Sequence, residues 1–348
     1  MSDREVPASV PLVPLDIFDR GLRDLRISLI DRCNFRCPYC MPESEFHQDY
    51  QFLRRENRLT HDEIVRLAGV AVKLGVDKLR LTGGEPLLDR QLPALVARLA
   101  QLPVSDIAMT TNAMLLDKQA AALKQAGLTR ITVSLDSLNP DVFHRLSGGR
   151  GAVDQVLAGI DAAERAGFDA LKINCVVQNG INDHTVLDLL AHFRHTRHVV
   201  RLIEFMDVGN RNNWKADQVV TSKALLARIE ALWPVTPVAP NYRGEVARRY
   251  QYQDGAGEIG FISSVSAPFC GSCHRARLAA DGTLYTCLFA TQGTRLLEPM
   301  RRGATDEELQ QMIERVWQKR DDRYSEQRAS REPTERPLRK VEMYRVGG

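Results

Sequence analysis

Between residues 25 and 205 a short alternating run gives way, again and again, to a stretch with helical spacing, and this leaves few folds open. Leu25–Ile30, Lys78–Thr82, Asp106–Thr110, Arg130–Leu135, Leu171–Val177 and Val199–Phe205 read as strands. Residues 61–74, 90–101, 116–126, 152–166 and 184–195 read as helices between them. In the first helix Ile64, Leu67, Val70 and Leu74 recur on one face, and Thr60 with Glu63 makes a capping box. Strands alternating with helices require a parallel sheet covered by helices. Six such units are too few for a closed eightfold barrel. The expected fold is therefore α/β: a partial (β/α)6 TIM-like barrel. Reactive groups in such folds collect at the C-terminal ends of the strands.

The pattern changes after residue 235. Shorter runs are separated by turns at Asp254-Gly255 and Asp281-Gly282, which suggests a C-terminal β-rich extension. The expected division is an N-terminal arm (1–20), the partial barrel (21–235), the extension (236–320) and a mobile tail (321–348) ending in Gly347-Gly348. The formal net charge of +3 is too small to imply nucleic acid. No apolar segment approaches the roughly 20 residues that span a bilayer. The N-terminus carries acids where a secretion signal needs a basic run and an apolar core. The chain is thus expected in the cytoplasm, away from membranes and nucleic acid. Thiols stay reduced there, so cysteine clusters read as metal ligands rather than disulfides.

Six of the seven cysteines fall into two groups. Cys33, Cys37 and Cys40 lie on the loop after the first strand. Cys270, Cys273 and Cys287 lie in the extension. Three thiolates hold a metal centre with one corner open, unlike a structural zinc site closed by four ligands. Cys175 is mid-strand and reads as a buried, inert thiol. Two alternatives attach to the second group. Cys270, Cys273, His274 and Cys287 could bind zinc, and Cys270-Gly-Ser-Cys-His274 matches a c-type haem motif. Arg275 and Arg277 follow directly; two apart on a strand, they share a face and suit an anion clamp.

Cys-x3-Cys-x2-Cys after a first strand, with Tyr39 before the last cysteine and Gly83-Gly84-Glu85-Pro86 after the second strand, resembles the radical S-adenosylmethionine (SAM) superfamily. The second triplet, Arg275, Arg277, Gly244-Glu-Val-Ala247 and the Gly-Gly end narrow the resemblance to the GTP 3′,8-cyclase family of molybdenum cofactor biosynthesis, over nearly the whole chain. The resemblance implies two 4Fe–4S clusters, held by Cys33, Cys37 and Cys40 and by Cys270, Cys273 and Cys287. It implies SAM contacts at Tyr39, Gly84, Thr111, Ser134 and Met206. It implies GTP contacts at Arg26, Lys78, Arg80, Lys172, Arg275 and Arg277, with the guanine on the second cluster. Arg275, Arg277, Gly347 and Gly348 would serve catalysis, the two glycines entering the site. It further implies a homodimer, an external electron donor and a downstream cyclic pyranopterin monophosphate synthase. A radical SAM enzyme acting on another substrate, such as a peptide, is the alternative; a zinc-bound binding module is the non-enzymatic one. Two departures stand out. Ala113 replaces the usual glycine, which a positive φ would strain, and His274 replaces the usual asparagine.

Overall fold

The computed structural model describes residues 13–242, 244–328 and 339–347. Six parallel strands follow one another across the sheet: β1 (Asp24–Ser28), β2 (Lys78–Thr82), β3 (Asp106–Thr111), β4 (Arg130–Ser134), β5 (Lys172–Val177) and β6 (Val199–Glu204). The intervening helices include His61–Lys73, Leu92–Leu99, Ala120–Gln125, Val153–Arg165 and Val186–Phe193. The expected boundaries hold within a few residues. The capping box is present: Thr60 Oγ1 accepts from Glu63 N–H, and Glu63 accepts from Thr60 N–H. A further helix, Pro140–Leu146, starts at an Asn139 cap that the sequence reading passed over.

Side chains on a strand alternate between faces. Leu25, Ile27, Leu79, Leu81, Ile107, Met109, Ile131, Val133, Ile173, Val200 and Leu202 pack with the helices in the main core. Cys175 belongs to that core and is fully buried, as expected of an inert thiol. The opposite parity carries Arg26, Lys78, Arg80, Arg130, Lys172 and Arg201, all of which line one internal cavity. The sheet is therefore curved around a polar lumen, as a partial barrel should be.

The C-terminal strands extend both edges of this barrel. β7 (Val235–Val238), β8 (Arg248–Tyr252) and β9 (Glu258–Ile262) form a meander whose last strand pairs parallel to β6. β10 (Arg275–Leu278), β11 (Thr283–Tyr285) and β12 (Thr294–Arg295) extend the other edge, with β10 parallel to β1. Among the described residues the order is β12-β11-β10-β1-β2-β3-β4-β5-β6-β9-β8-β7. Helix Asp306–Gln318 then lies near helix His61–Lys73, with Arg66 paired to Asp306 at 2.8 Å. Residues 339–347 are docked, with Val341, Tyr344 and Val346 buried. Their apolar side chains give this end of the chain a reason to pack that its charged neighbours obscure. Among the described residues no helix is long and apolar enough to cross a membrane.

Candidate active site

The first cysteine loop sits at the C-terminal end of β1. Cys37 carbonyl accepts from Cys40 and Met41 N–H, giving a tight turn. Arg36 cross-ties the loop by donating to the carbonyls of Cys33, Phe35 and Phe46. Tyr39 hydroxyl donates to buried Asp136 beyond β4 at 2.7 Å. Burial raises the Asp136 carboxyl to about 6. Burial also pushes the Cys33 thiol up to about 12 and the Cys37 and Cys40 thiols well up. Such thiols lose their protons readily only when a strong electrophile such as a metal centre takes the thiolate and the proton is released.

The Gly83-Gly84-Glu85 turn presses against this loop. Gly84 N–H donates to Ile30 carbonyl at 2.6 Å, and Glu85 N–H to Arg32 carbonyl at 2.9 Å. A Cβ on Gly84 would lie 1.9 Å from Arg32 carbonyl oxygen, so only glycine allows this approach. The Glu85 carboxylate accepts from Thr111 hydroxyl, Asn112 N–H and Leu87 N–H. Burial nevertheless lifts it to about 7. Asn112 in turn donates to Asn34, next to Cys33, at 2.8 Å. The loops after β1, β2 and β3 thus form one tied rim. Ala113 takes φ +62°, the left-handed conformation its usual glycine would adopt without strain.

The second triplet lies at the opposite end of the barrel. β10 runs parallel to β1, so Cys270 and Cys273, which precede it, sit at the N-terminal ends of the strands; Cys287, after antiparallel β11, returns there. Arg275 donates to Cys273 Sγ at 3.3 and 3.1 Å. Burial alone would raise the Cys273 thiol, but Arg275 and Arg320 outweigh it and bring it down to about 6. Burial holds Cys287 up at about 12. His274 Nδ1 faces Gly21 carbonyl at 3.1 Å. Among the described residues no three His, Cys, Asp or Glu side chains converge on a single ion.

Between the two ends runs one cavity of about 960 Å³, lined by both triplets. Strand register builds its walls. Arg26 lies abreast of Arg277 on one side and Arg80 on the other, and the row continues through Ala108 to Arg130. One step toward the second triplet, Asp24 stands between Arg275 and Lys78. Arg26 is depressed well below an ordinary guanidinium by burial and by Arg277. Arg26 Nε and Arg80 Nε are buried with no hydrogen-bond partner. Burial, then Arg201, bring Lys172 down to about 7. Gly84, Thr111, Ser134 and Met206 line the same cavity near the first triplet.

Every site residue expected from the sequence and described here faces this cavity or touches a residue that does. Gly347 does so through its carbonyl, which accepts from Arg277. It has φ +69°, and a Cβ there would lie 2.1 Å from Thr82 Cγ2. Gly348 lies outside the described residues. Arg130, Arg201, Asn174 and Tyr242 also line the cavity and were not expected. The parity that selects Lys78 and Arg80 would have selected Arg130, Asn174 and Arg201. Tyr242 sits in a loop and its ring covers Lys78 Nζ at 4.3 Å, which no local pattern announces.

Comparison with known proteins agrees with this geometry. The Radical SAM superfamily model matches residues 27–193, and the Molybdenum Cofactor Synthesis C model matches residues 198–326. A GTP 3′,8-cyclase of Xanthomonas campestris pv. campestris (strain B100) is 55% identical over 334 residues, covering 96% of this chain and 97% of that protein. GTP 3′,8-cyclases of Acidothermus cellulolyticus and Staphylococcus aureus (strain JH9) are 49% and 44% identical, each covering 96% of this chain and 98% of the relative. Among solved structures, Streptococcus suis SuiB bound to precursor peptide SuiA matches with a TM-score of 0.59 at 14% identity, over 86% of this chain and 65% of that one. That likeness concerns the fold alone. At such identity over nearly its full length, the chain belongs to the GTP 3′,8-cyclase family of radical SAM enzymes.

Proposed function

We propose that this chain catalyses the 3′,8-cyclisation of GTP, with GTP held in the through-barrel cavity between the two cysteine triplets. One observation carries this: a single cavity joins both triplets through a lumen of arginines. The reaction removes the ribose C3′ hydrogen and joins C3′ to guanine C8, giving (8S)-3′,8-cyclo-7,8-dihydro-GTP, the first step of molybdenum cofactor biosynthesis.

The donor sets fit a 4Fe–4S cluster at each end. Each offers three free thiols, and thiolates are the ligands such clusters use. Cys33, Cys37 and Cys40 hold one, with SAM contacted by Tyr39, Gly84, Thr111, Ser134 and Met206. Cys270, Cys273 and Cys287 hold the other. When bound, the first cluster and SAM together supply a 5′-deoxyadenosyl radical.

The protein's own groups bind and orient the nucleotide. Arg26, Arg80 and Arg277, with Lys78, Lys172 and Arg275, meet its phosphates and purine. Buried donors without partners, here Arg26 Nε and Arg80 Nε, cost about 1–3 kcal/mol each, and phosphate oxygens relieve that cost through charge-assisted, bidentate bonds. The tied rim of Tyr39–Asp136 and Glu85–Thr111–Asn112 keeps the first triplet fixed relative to the lumen. We also place the protein in the cytoplasm, as a homodimer served by an external electron donor, passing its product to a cyclic pyranopterin monophosphate synthase. The direct test is anaerobic incubation with reductant, SAM and either GTP, ATP or a peptide. Cyclised product and 5′-deoxyadenosine are expected together with GTP; deoxyadenosine without GTP consumption would sink this function.

Two further outcomes are expected. Lys172 is about half neutral near pH 7 in the free protein, since its folded value is about 7. A triphosphate beside it favours the ammonium, so GTP binding should take up a proton between about pH 7 and 9. Calorimetry in buffers of different ionisation enthalpy should register up to about one proton, and Lys172→Met should remove it. Equal binding heats in all buffers would refute this. Gly347→Ala should weaken docking of residues 339–347. A left-handed alanine costs about 1–2 kcal/mol, and the overlap with Thr82 about as much again. A loss in kcat/KM of roughly 30- to 900-fold should follow, with faster proteolysis of this segment.

A further inference from the structure

We infer that Asp16, Arg20 and Arg320 form a positioning frame for the second cysteine triplet. This inference rests on the two-cluster reading above. The frame is remote in sequence and fully interior: Asp16, Arg20 and Arg320 are 5%, 1% and 4% exposed.

Asp16 is its hub. Its Oδ2 accepts from Arg20 Nε at 2.6 Å and from an Arg320 terminal nitrogen at 3.0 Å. Its Oδ1 accepts from the N–H groups of Phe18 and Arg20, closing the turn that carries Arg20. Each arginine also donates to main-chain carbonyls of the cysteine loops. Arg20 donates to Cys270 carbonyl at 2.7 Å and to Asp322 carbonyl at 3.0 Å. Arg320 donates to Cys273 carbonyl at 2.9 Å and to Thr286 carbonyl, just before Cys287, at 3.1 Å. All three cysteine segments are therefore held by two guanidiniums sharing one carboxylate. Trp317 adds a lock, its indole N–H donating to Arg20 carbonyl at 2.8 Å while its ring lies 4.6 Å from the Arg320 guanidinium.

These contacts go to main-chain carbonyls of the triplet, so they set where the thiols stand rather than binding the cluster. Arg320 also offsets the negative charge of the nearby thiolates in a medium of low dielectric, against the Asp322 carboxylate that pairs with it at 3.3 Å. Groups at this remove from a metal typically matter 10- to 100-fold for its retention. The first triplet, at the other end of the barrel, takes no hydrogen bond from Asp16, Arg20 or Arg320 among the described residues.

The test is chelator challenge of the anaerobically reconstituted full chain, comparing wild type with Arg320→Gln and Arg320→Lys. Iron and sulfide are followed over time, and each cluster by its electron paramagnetic resonance signal. Wild type should begin near eight irons per chain, for two 4Fe–4S clusters. Arg320→Gln should lose the second cluster's iron roughly 10- to 100-fold faster while retaining about four irons and SAM cleavage without GTP. The surviving second-cluster signal should shift to a more negative potential. Arg320→Lys should restore the potential more than the retention, since one ammonium cannot reproduce the fork that spans Cys273 and Thr286. Unchanged retention and potential in Arg320→Gln, or equal loss from both clusters, would overturn the frame. Should Arg320→Gln not fold, Asp16→Asn should likewise lose the second cluster's iron faster than wild type, without the negative shift in potential, and unchanged retention there would overturn the frame. A wild type holding only about four irons would instead overturn the two-cluster reading, and this inference with it.

Discussion

Arg277→Ala is expected to abolish cyclisation while leaving slow 5′-deoxyadenosine formation in the absence of GTP. Arg277 is buried and stands in the row with Arg26 and Arg80. It also donates to the carbonyls of Val346 and Gly347. Its loss therefore removes a phosphate or purine contact and the anchor of the docked C-terminal segment together. Deleting one member of a buried charged set costs about 3–5 kcal/mol, which is roughly 10²- to 10⁴-fold in rate. Arg277 makes no hydrogen bond to the first cysteine loop among the described residues, and the contact of Tyr344 with Met41 and Phe46 of that loop is tied separately by Tyr50. Product and deoxyadenosine should be quantified together in anaerobic assays; parallel loss of both would show that Arg277 supports the whole fold rather than the nucleotide.

Gly84→Ala should give the opposite signature, with SAM cleavage and cyclisation falling together. The added Cβ would meet Arg32 carbonyl oxygen at 1.9 Å, and that atom is backbone in the cysteine loop itself. No rotamer relieves such a contact, so the loop or the Gly-Gly turn must move by about 1 Å. A displacement of that size at a reacting centre costs on the order of 100-fold. Iron analysis should also show weaker retention at Cys33, Cys37 and Cys40. A variant that cleaves SAM at the wild-type rate would show the approach to be dispensable. Since Arg277 stands in the mid-barrel row of cations and Gly84 against the first cysteine loop, the pair separates radical generation from nucleotide handling.

The βα periodicity and the capping box at Thr60 were legible because they are local, set by residues three to four apart. The cysteine triplets and the Gly-Gly-Glu turn were legible because few chemistries use such spacing. Arg130, Arg201 and Asn174 escaped notice although their strand parity marks them as lumen-facing; each taken alone reads as an ordinary polar position. Tyr242 and the Asp16–Arg20–Arg320 frame carried no signal at all. Asp16 and Arg320 are some 300 positions apart, and only a folded chain pairs them at 3.0 Å. The docking of residues 339–347 was hidden for a similar reason, since Val341, Tyr344 and Val346 find their apolar surroundings on distant elements.

By itself the sequence determined the barrel-forming alternation, the ligand type at each triplet and the family, because these depend on residue identity and short spacing. Only the tertiary structure decided where the triplets stand. Composition and strand ends placed the chemistry at one rim; the parallel pairing of β10 with β1 puts the second triplet at the other. That pairing also brings Arg277 level with Arg26 and Arg80, so that a row of cations lines the path between the two ends. The physical reason is register: hydrogen bonding between strands far apart in sequence fixes which side chains share a layer, and no local pattern encodes that choice.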